Sequence, residues 1–219
     1  MNNEKETWYF YECGECDPRW NMAIDTVLLE NAQTIARPLI RLYGWKTPAA
    51  TFGFFQKQEE IEKITPIRPL VRRPTGGGLV PHINDFTYTI VIPKTHNWYQ
   101  LKATESYKRV HTWLMKTLEL LSVPTELAPQ TVRPIRGQCF VGHEQYDILQ
   151  NGQKIAGAAQ RRTKTGLLIQ GSVQPRPAGI SNHQWANAIQ TAATQLFNIK
   201  FEKFEPEHHD FLKKHPETM

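Results

Sequence analysis

An Asn151-Gly152 pair joins two runs, Tyr146-Asp147-Ile148-Leu149-Gln150 and Gln153-Lys154-Ile155-Ala156-Gly157-Ala158-Ala159-Gln160. Asn-Gly tolerates positive φ at both central positions of a two-residue turn, so the flanking runs pair as an antiparallel hairpin. Gly166 to Val173 extends it to a three-stranded meander. Strict alternation puts Lys154, Ala156 and Ala158 on one face and Ile155 on the other. A lysine followed by small residues describes a wall with space above it, which suits a cleft. An ordinary exposed lysine beside a turn is the plain alternative.

Helical and strand periods locate the remaining elements. Asp17-Pro18 reads as an N-cap with proline at the first helical position, opening a helix to about Asn31 with Met22, Ile24, Val27 and Leu28 on its apolar side. Leu39 to Trp45 is a strand, and Thr51 to Gln56 a compact aromatic turn. Phe86 to Ile92 alternates like a strand and stops at Pro93. Tyr107, Val110, Leu114, Thr117, Leu118 and Leu121 recur at helical spacing. Ser181 opens a third helix, with Gln184 completing a capping box and Trp185, Ile189, Ala192, Ala193 and Leu196 as its buried stripe. Asn198 to Phe204 reads as a last strand. Ala128 to Gln145, with two prolines and two glycines, reads as a long loop.

The stretch Arg72-Arg73-Pro74-Thr75-Gly76-Gly77-Gly78, followed by His82, is the clearest ligand-loop signal. Three glycines let the backbone lie directly against a ligand, and their N–H groups can form a small nest. Arg72 and Arg73 would add fixed positive charge beside it. The spacing lacks the Lys-Ser/Thr of a P-loop, and the run feeds a strand where a dinucleotide fingerprint would feed a helix. A flexible turn between solvated arginines is the competing reading.

The net charge of +5 would suit nucleic acid, but the basic residues are dispersed and no recognition motif accompanies them. An acidic protein partner explains the balance equally well. The opening Met-Asn-Asn-Glu-Lys-Glu has no signal pattern, and no apolar run approaches membrane-spanning length. The expectation is a cytoplasmic protein of one domain, residues 1–219, with no nucleic-acid or membrane partner. Cys13 and Cys16 form an isolated C-x-x-C without further metal ligands or a thioredoxin-like context, so no metal site is expected and the pair reads as two incidental thiols near a helix start.

Taken in order, Asn21-Met22-Ala23-Ile24-Asp25, Leu42-Tyr43-Gly44-Trp45, Phe52-Gly53-Phe54-Phe55-Gln56, the arginine-glycine loop with His82, and Asn151 to Gln160 resemble the lipoate-protein ligase and octanoyltransferase family, which shares its catalytic domain with biotin ligases. The match spans about residues 21–173. It implies an α+β fold with a mixed, largely antiparallel central sheet flanked by helices, an acyl chain held beside the glycine loop and Lys154, and no C-terminal accessory domain.

Within the family, Cys139-Phe140 with Tyr146-Asp147, and Asp85-Phe86-Thr87-Tyr88-Thr89, look like the cysteine-dependent octanoyltransferases. The resemblance implies octanoyl-acyl carrier protein as donor and no cofactor. The acceptor would be a lysine of a lipoyl domain, as in a glycine cleavage H protein or a dehydrogenase E2. Cys139 and Lys154 would be catalytic. Arg72, Arg73, Thr75, Gly76, Gly77, Gly78, His82, Gly157 and Ala158 would bind substrate, with glycine-loop N–H groups on the thioester carbonyl or its oxyanion, Gly157 and Ala158 nearby, and His82 orienting the loop. The alternative is an ATP- and magnesium-dependent lipoate-protein ligase working with a separate accessory subunit, toward which the unbroken glycine triplet points. A non-catalytic acyl- or partner-binding member is a third reading. Thiolate formation at Cys139 needs about 2.7 kcal/mol to lower its pKa by roughly two units. A lone lysine ammonium at about 4 Å offers roughly 4 kcal/mol. His143, four residues after Cys139, is the rival activator.

Overall fold

A computed structural model describes residues 4–132 and 142–213. Its centre is an eight-stranded sheet built from β1 (Glu6–Cys16), β2 (Leu39–Trp45), β6 (Phe86–Pro93), β7 (Glu126–Leu127), β8 (Ile148–Gln150), β9 (Gln153–Arg162), β10 (Gly166–Val173) and β11 (Ile199–Lys203). The spatial order is β11-β1-β2-β6-β10-β9-β8-β7. β11, β1 and β2 run parallel, and every pairing from β2 to β7 is antiparallel. The expected α+β architecture with its largely antiparallel sheet is present.

The helices form where capping chemistry starts them. Asp17 accepts from Arg19 N at 2.9 Å and Trp20 N at 3.4 Å, beginning α1 (Pro18–Glu30). Ser181 and Gln184 exchange hydrogen bonds at the head of α5 (Asn182–Phe197), as their spacing predicts. α5 lies against α4 (Ala103–Leu120), and both cover one sheet face. That face holds the larger core, where Trp8, Trp113, Trp185 and Tyr88 are all fully or nearly fully buried.

The opposite face changes character along its length, and the register shows how. Three rows cross β2, β6 and β10 side by side. Leu39, Val91 and Leu168 are apolar and meet Ile24 and Leu28 of α1. Arg41, Thr89 and Gln170 follow, and then Tyr43, Thr87 and Ser172. Two residues along each strand, the same face has turned from core to polar site.

A second, three-stranded sheet of order β4-β3-β5 covers this polar end, using β3 (Ala49–Phe52), β4 (Leu70–Arg72) and β5 (Val80–His82). It has its own small core of Ala50, Phe52, Ile61 and Leu79, with short α3 (Gln58–Ile61) beneath. A separate short helix, α2 (Ala32–Ile35), follows α1, and α6 (Asp210–Lys213) ends the described chain.

Several expectations change. The aromatic turn is shorter than expected, because Thr51 and Phe52 belong to β3 and only the following residues turn. β1 was not anticipated, although Thr7-Trp8-Tyr9-Phe10-Tyr11 is rich in strand-favouring side chains. The strict alternation along β9 is also broken. Ile148 pairs with Ala156 but Leu149 pairs with Lys154, so Ile155 is an extra residue, a bulge. Ala156 and Ala158 therefore face the large core, whereas Lys154 lies over Gly157 on the other side. Of the long loop, residues 133–141, including Cys139, lie outside the described residues.

The glycine loop and the aromatic turn touch backbone to backbone. A Cβ on Gly53 would stand 2.0 Å from the Gly77 carbonyl oxygen. Gly53→Ala should cost about 1–3 kcal/mol of stability through overpacking. Urea unfolding of the two proteins checks this; an unchanged midpoint would mean the loops part without cost.

Candidate functional site

The polar end of the central strands is organised by a fully buried ion pair. Arg41 Nη1 donates to Asp25 Oδ1 at 2.7 Å, and neither side chain is exposed. Arg41 Nη2 also donates to Asn21 Oδ1 at 2.6 Å, and Asn21 Nδ2 donates to the Gly44 carbonyl at 2.9 Å. Asp25 Oδ2 accepts from Thr89 Oγ1 and Gln170 Nε2, each at 2.6 Å, and from the Tyr43 hydroxyl at 3.1 Å. Burial, and then the Asp25 charge, push the Tyr43 phenol well above its ordinary value, so it remains a neutral donor.

The network reaches the glycine loop through one amide. Gln170 Oε1 accepts from Thr75 Oγ1 at 2.7 Å, so the loop's position is set by a side chain of β10. Arg73 finishes the work. It is buried, and its guanidinium donates to the Gly76 carbonyl at 3.0 and 2.7 Å, to the Gly78 carbonyl at 2.7 Å and to Thr51 Oγ1 at 3.2 Å. Arg72 donates to the carbonyls of Phe54 and Gln56 at 2.7 and 2.6 Å and lies over the Phe52 ring. The two arginines were expected to present charge to an anion beside the loop; in the structure Arg73 holds carbonyls of the glycine loop and Arg72 holds carbonyls of the aromatic turn.

His82 is held between Thr51, Asp85 and Trp45. Nε2 meets Thr51 Oγ1 at 3.0 Å, Nδ1 meets Asp85 Oδ2 at 2.8 Å, and the ring stacks on Trp45 with centroids 4.0 Å apart. Asp85 Oδ2 also accepts from Thr87 and Ser172 hydroxyls, both at 2.7 Å. Burial alone would raise the Asp85 carboxyl, but the His82 hydrogen bond and charge and the two hydroxyls hold it below the ordinary carboxylate range.

Lys154 stands opposite, across a cavity of about 70 Å³ whose wall includes Met22, Trp45, Gly77, Val80 and Ala159. Its Nζ is 2.7 Å from Asp147 Oδ2, with Asp147 wholly buried. Gly157 makes this possible: a Cβ there would sit 2.7 Å from Lys154 Cε and 2.8 Å from Nζ. Asp147 Oδ2 also accepts from Glu144 N at 2.7 Å, tying the carboxylate to the described end of the long loop. Its other oxygen accepts from the Tyr107 hydroxyl of α4. Burial first, and then the Asp147 charge, push Tyr107 well above its ordinary value, so it remains the donor.

Tyr107 in turn accepts from Ala158 N at 3.2 Å. In the structure the Ala158 N–H is directed at Tyr107. Gly157 acts by leaving room for Lys154. Asp147 and Tyr107 were not anticipated as site residues. A signal for Asp147 was present, an aspartate one residue before the Ile148 strand with Lys154 across the turn. Nothing in the sequence joined Tyr107 to it. His143, the rival activator, has its backbone paired to Val132 at 2.8 and 3.0 Å.

A larger groove of about 290 Å³ adjoins the cavity, sharing Tyr43, Trp45, His82 and Thr87 with it. Glu12, Glu15, Lys46 and Arg176 line it, so it suits a polar group, whereas the smaller cavity suits an apolar one.

Beneath Tyr107 lies His111, fully buried with its ring edge-on to the Tyr107 ring at 4.1 Å. Burial lowers its pKa from 6.5 to about 4. The unfolded chain then binds a proton below about 6.5 that the native protein refuses until about pH 4. Stability should fall as pH drops across that window, by about 3 kcal/mol at most. His111→Leu should flatten this part of the curve, measured by urea unfolding at stepped pH; an equal slope in both proteins would refute the assignment.

Comparison with known proteins fits this arrangement. Residues 17–190 match the model for the lipoyl protein ligase A/B catalytic domain. Octanoyltransferase LipM of Anoxybacillus flavithermus is 33% identical over 183 residues, which are 78% of this chain and 66% of that protein. Octanoyltransferase LipM of Geobacillus kaustophilus is 32% identical over 77% of this chain and 66% of its own length. The chain thus spans just under two thirds of the length of these relatives. The bi-partite lipoate protein ligase from Thermoplasma acidophilum, solved with its E2 lipoyl domain, shares the fold with a TM-score of 0.64 at 17% identity, over 96% of this chain and 91% of that one. With a glycine loop, a buried ion pair and a hairpin lysine all inside the matched region, this chain belongs to the lipoyl protein ligase A/B catalytic domain family.

Proposed function

We propose that the protein transfers an octanoyl group, through a thioester on Cys139, to a lysine of a lipoyl domain. The observation that carries this reading is the Lys154–Asp147 pair, at 2.7 Å, on the wall of a cavity roofed by the glycine loop. The similarity to octanoyltransferases at 32–33% identity supports it as well. Ligation of a free acid would first require adenylation with ATP and magnesium, and those relatives weigh against it.

The donor is octanoyl-acyl carrier protein, whose thioester already carries the activation an amide needs. The Cys139 thiolate attacks the thioester carbonyl, and the departing carrier thiolate takes a proton from the Lys154 ammonium. The acceptor amine then attacks the acyl-enzyme, Lys154 takes the proton the amine sheds, and Cys139 leaves as thiolate. Lys154 and Cys139 regain their starting protonation, one proton has passed from the acceptor amine to the carrier thiol, and no cofactor is consumed. Peptide N–H groups of Gly76–Gly78 stabilise the oxyanion.

Asp147 changes the electrostatics expected from the lysine alone. A carboxylate 2.7 Å behind the ammonium takes back roughly 2–3 kcal/mol of the field a thiolate at about 4 Å would feel. Its contribution is orientation: it fixes Nζ over Gly157 while Tyr107 fixes the carboxylate. The remaining stabilisation of the thiolate falls to the peptide N–H groups around it.

Incubation with octanoyl-acyl carrier protein in the absence of ATP should add one octanoyl mass to the protein, and Cys139→Ser should abolish it. Lys154→Met should retain the thioester but slow transfer to a lipoyl domain by about 10²-fold or more. A Cys139→Ser protein that still modifies the lipoyl domain, and only with free acid and ATP, would overturn the proposal in favour of the ligase.

A further inference from the structure

Cys13 and Cys16 take no part in the chemistry above, yet their surroundings are not those of inert thiols. They lie near the end of β1, where its register with β2 shifts between Glu12 and Glu15. Gly14 takes φ +66 there, with no atom within 4 Å of where a Cβ would stand. This bulge turns the strand so that Cys16 comes back onto Cys13. Cys16 Sγ donates to the Cys13 carbonyl at 3.5 Å, which brings the second thiol beside the first residue.

The two sulfurs are inequivalent. Cys13 is partly exposed, while Cys16 is buried. Arg41 donates Nε to Cys13 Sγ at 3.0 Å. The Arg41 guanidinium is locked in place by Asp25 and Asn21 on its far side. Burial alone would raise the Cys13 thiol, but the neighbouring Cys16 thiol, the Arg41 charge, the nearby Tyr11 side chain and the Arg41 hydrogen bond bring it down to about 6. The neighbouring Cys13 sulfur, burial and the Cys13 charge push Cys16 far up. An incidental pair of core thiols needs none of this: no fixed cation aimed at one sulfur, no glycine bulge and no division into an exposed thiolate and a buried thiol.

We propose that Cys13 and Cys16 form a dithiol site for exchange with small disulfides, with Cys13 attacking and Cys16 resolving. The Cys13 thiolate attacks one sulfur of the disulfide R–S–S–R, forming a mixed disulfide and releasing RS⁻. Cys16 then loses its proton, attacks the Cys13 sulfur and expels the second RS⁻. The protein is oxidised by two electrons and the small disulfide is reduced to two thiols. The Cys16 proton and one proton from solvent end on the two released thiols. Closure also removes the anionic sulfur facing Arg41, so the oxidation state of the pair is read by the ion pair beneath the acyl cavity.

The test does not depend on acyl transfer. The Cys139→Ser protein, which keeps only Cys13 and Cys16, is treated with bis(2-hydroxyethyl) disulfide, quenched with iodoacetamide and mapped by mass spectrometry. A Cys13–Cys16 disulfide should form, with both alkylatable thiols lost. In addition, Cys16→Ser should stop at a mixed disulfide on Cys13, and Cys13→Ser should form neither product. Before oxidation, Cys13 should be alkylated at pH 7 about tenfold faster than a free cysteine peptide. Should a serine variant fail to fold, the time course of the parent protein decides alone. A mixed disulfide that accumulates without closing, or a Cys13 no more reactive than the peptide, overturns the proposal.

Discussion

The buried Asp25–Arg41 pair is the constraint on which the rest of this molecule is arranged. Each charge is fully desolvated, so neither can be left without its partner; removing one member of such a pair typically costs about 3–5 kcal/mol. The pair has little claim to net stabilisation over an apolar replacement. What it does is hold positions. From Asp25 the hydrogen bonds run to Gln170 and from Gln170 to Thr75, the residue that leads into the glycine triplet. From Arg41 they run to Asn21 and from Asn21 to Gly44, fixing the start of α1 against the end of β2. One helix, two strands and one loop are thus registered against a single point.

The graded sheet face explains why such a point exists. Along β2, β6 and β10 the same face presents an apolar row, then a row containing Arg41, Thr89 and Gln170, then Tyr43, Thr87 and Ser172. Helix α1 seals the apolar row, and the small sheet closes over the polar end. The middle row is therefore cut off from water on all sides and must satisfy itself. That requirement selects a complete set of donors and acceptors and makes the floor of the cavity rigid. The Lys154 side is built differently. There the carboxylate of Asp147 is held by Tyr107 of a helix and by the backbone of Glu144, so its position answers to both α4 and the long loop.

Much of this is legible in the amino-acid sequence itself. The Asn151-Gly152 hairpin, the capped starts of α1 and α5, and β2 and β6 all announce themselves through turn chemistry and period, which are local properties. The residues around the cavity were also largely foreseen, since Gly77, His82, Lys154 and Ala158 line it together. What was not legible depends on distant neighbours. Arg72 and Arg73 read as ligand-facing because a sequence gives charge without direction; their carbonyl partners lie up to 22 residues away. The single-residue bulge at Ile155 turns the Ala156 and Ala158 side chains to the large core while Lys154 stays on the cavity side, and nothing in Lys-Ile-Ala-Gly marks it. Tyr107 meets Asp147 across 40 residues, a contact that no spacing rule anticipates. Cys139 carries the proposed chemistry and lies outside the described residues.

The parallel pairing of β1 has a consequence for how the chain is assembled. β1 lies between β2 and β11, and Glu6 is matched to Ile199. During synthesis this strand can find β2 early, but its other edge stays open until almost two hundred residues have emerged. Edges of that kind recruit strangers as readily as kin. The tyrosines, phenylalanine and tryptophan of β1 would have to be shielded for that interval, by the ribosome's surroundings or by a chaperone, until the last strand arrives to close the ladder.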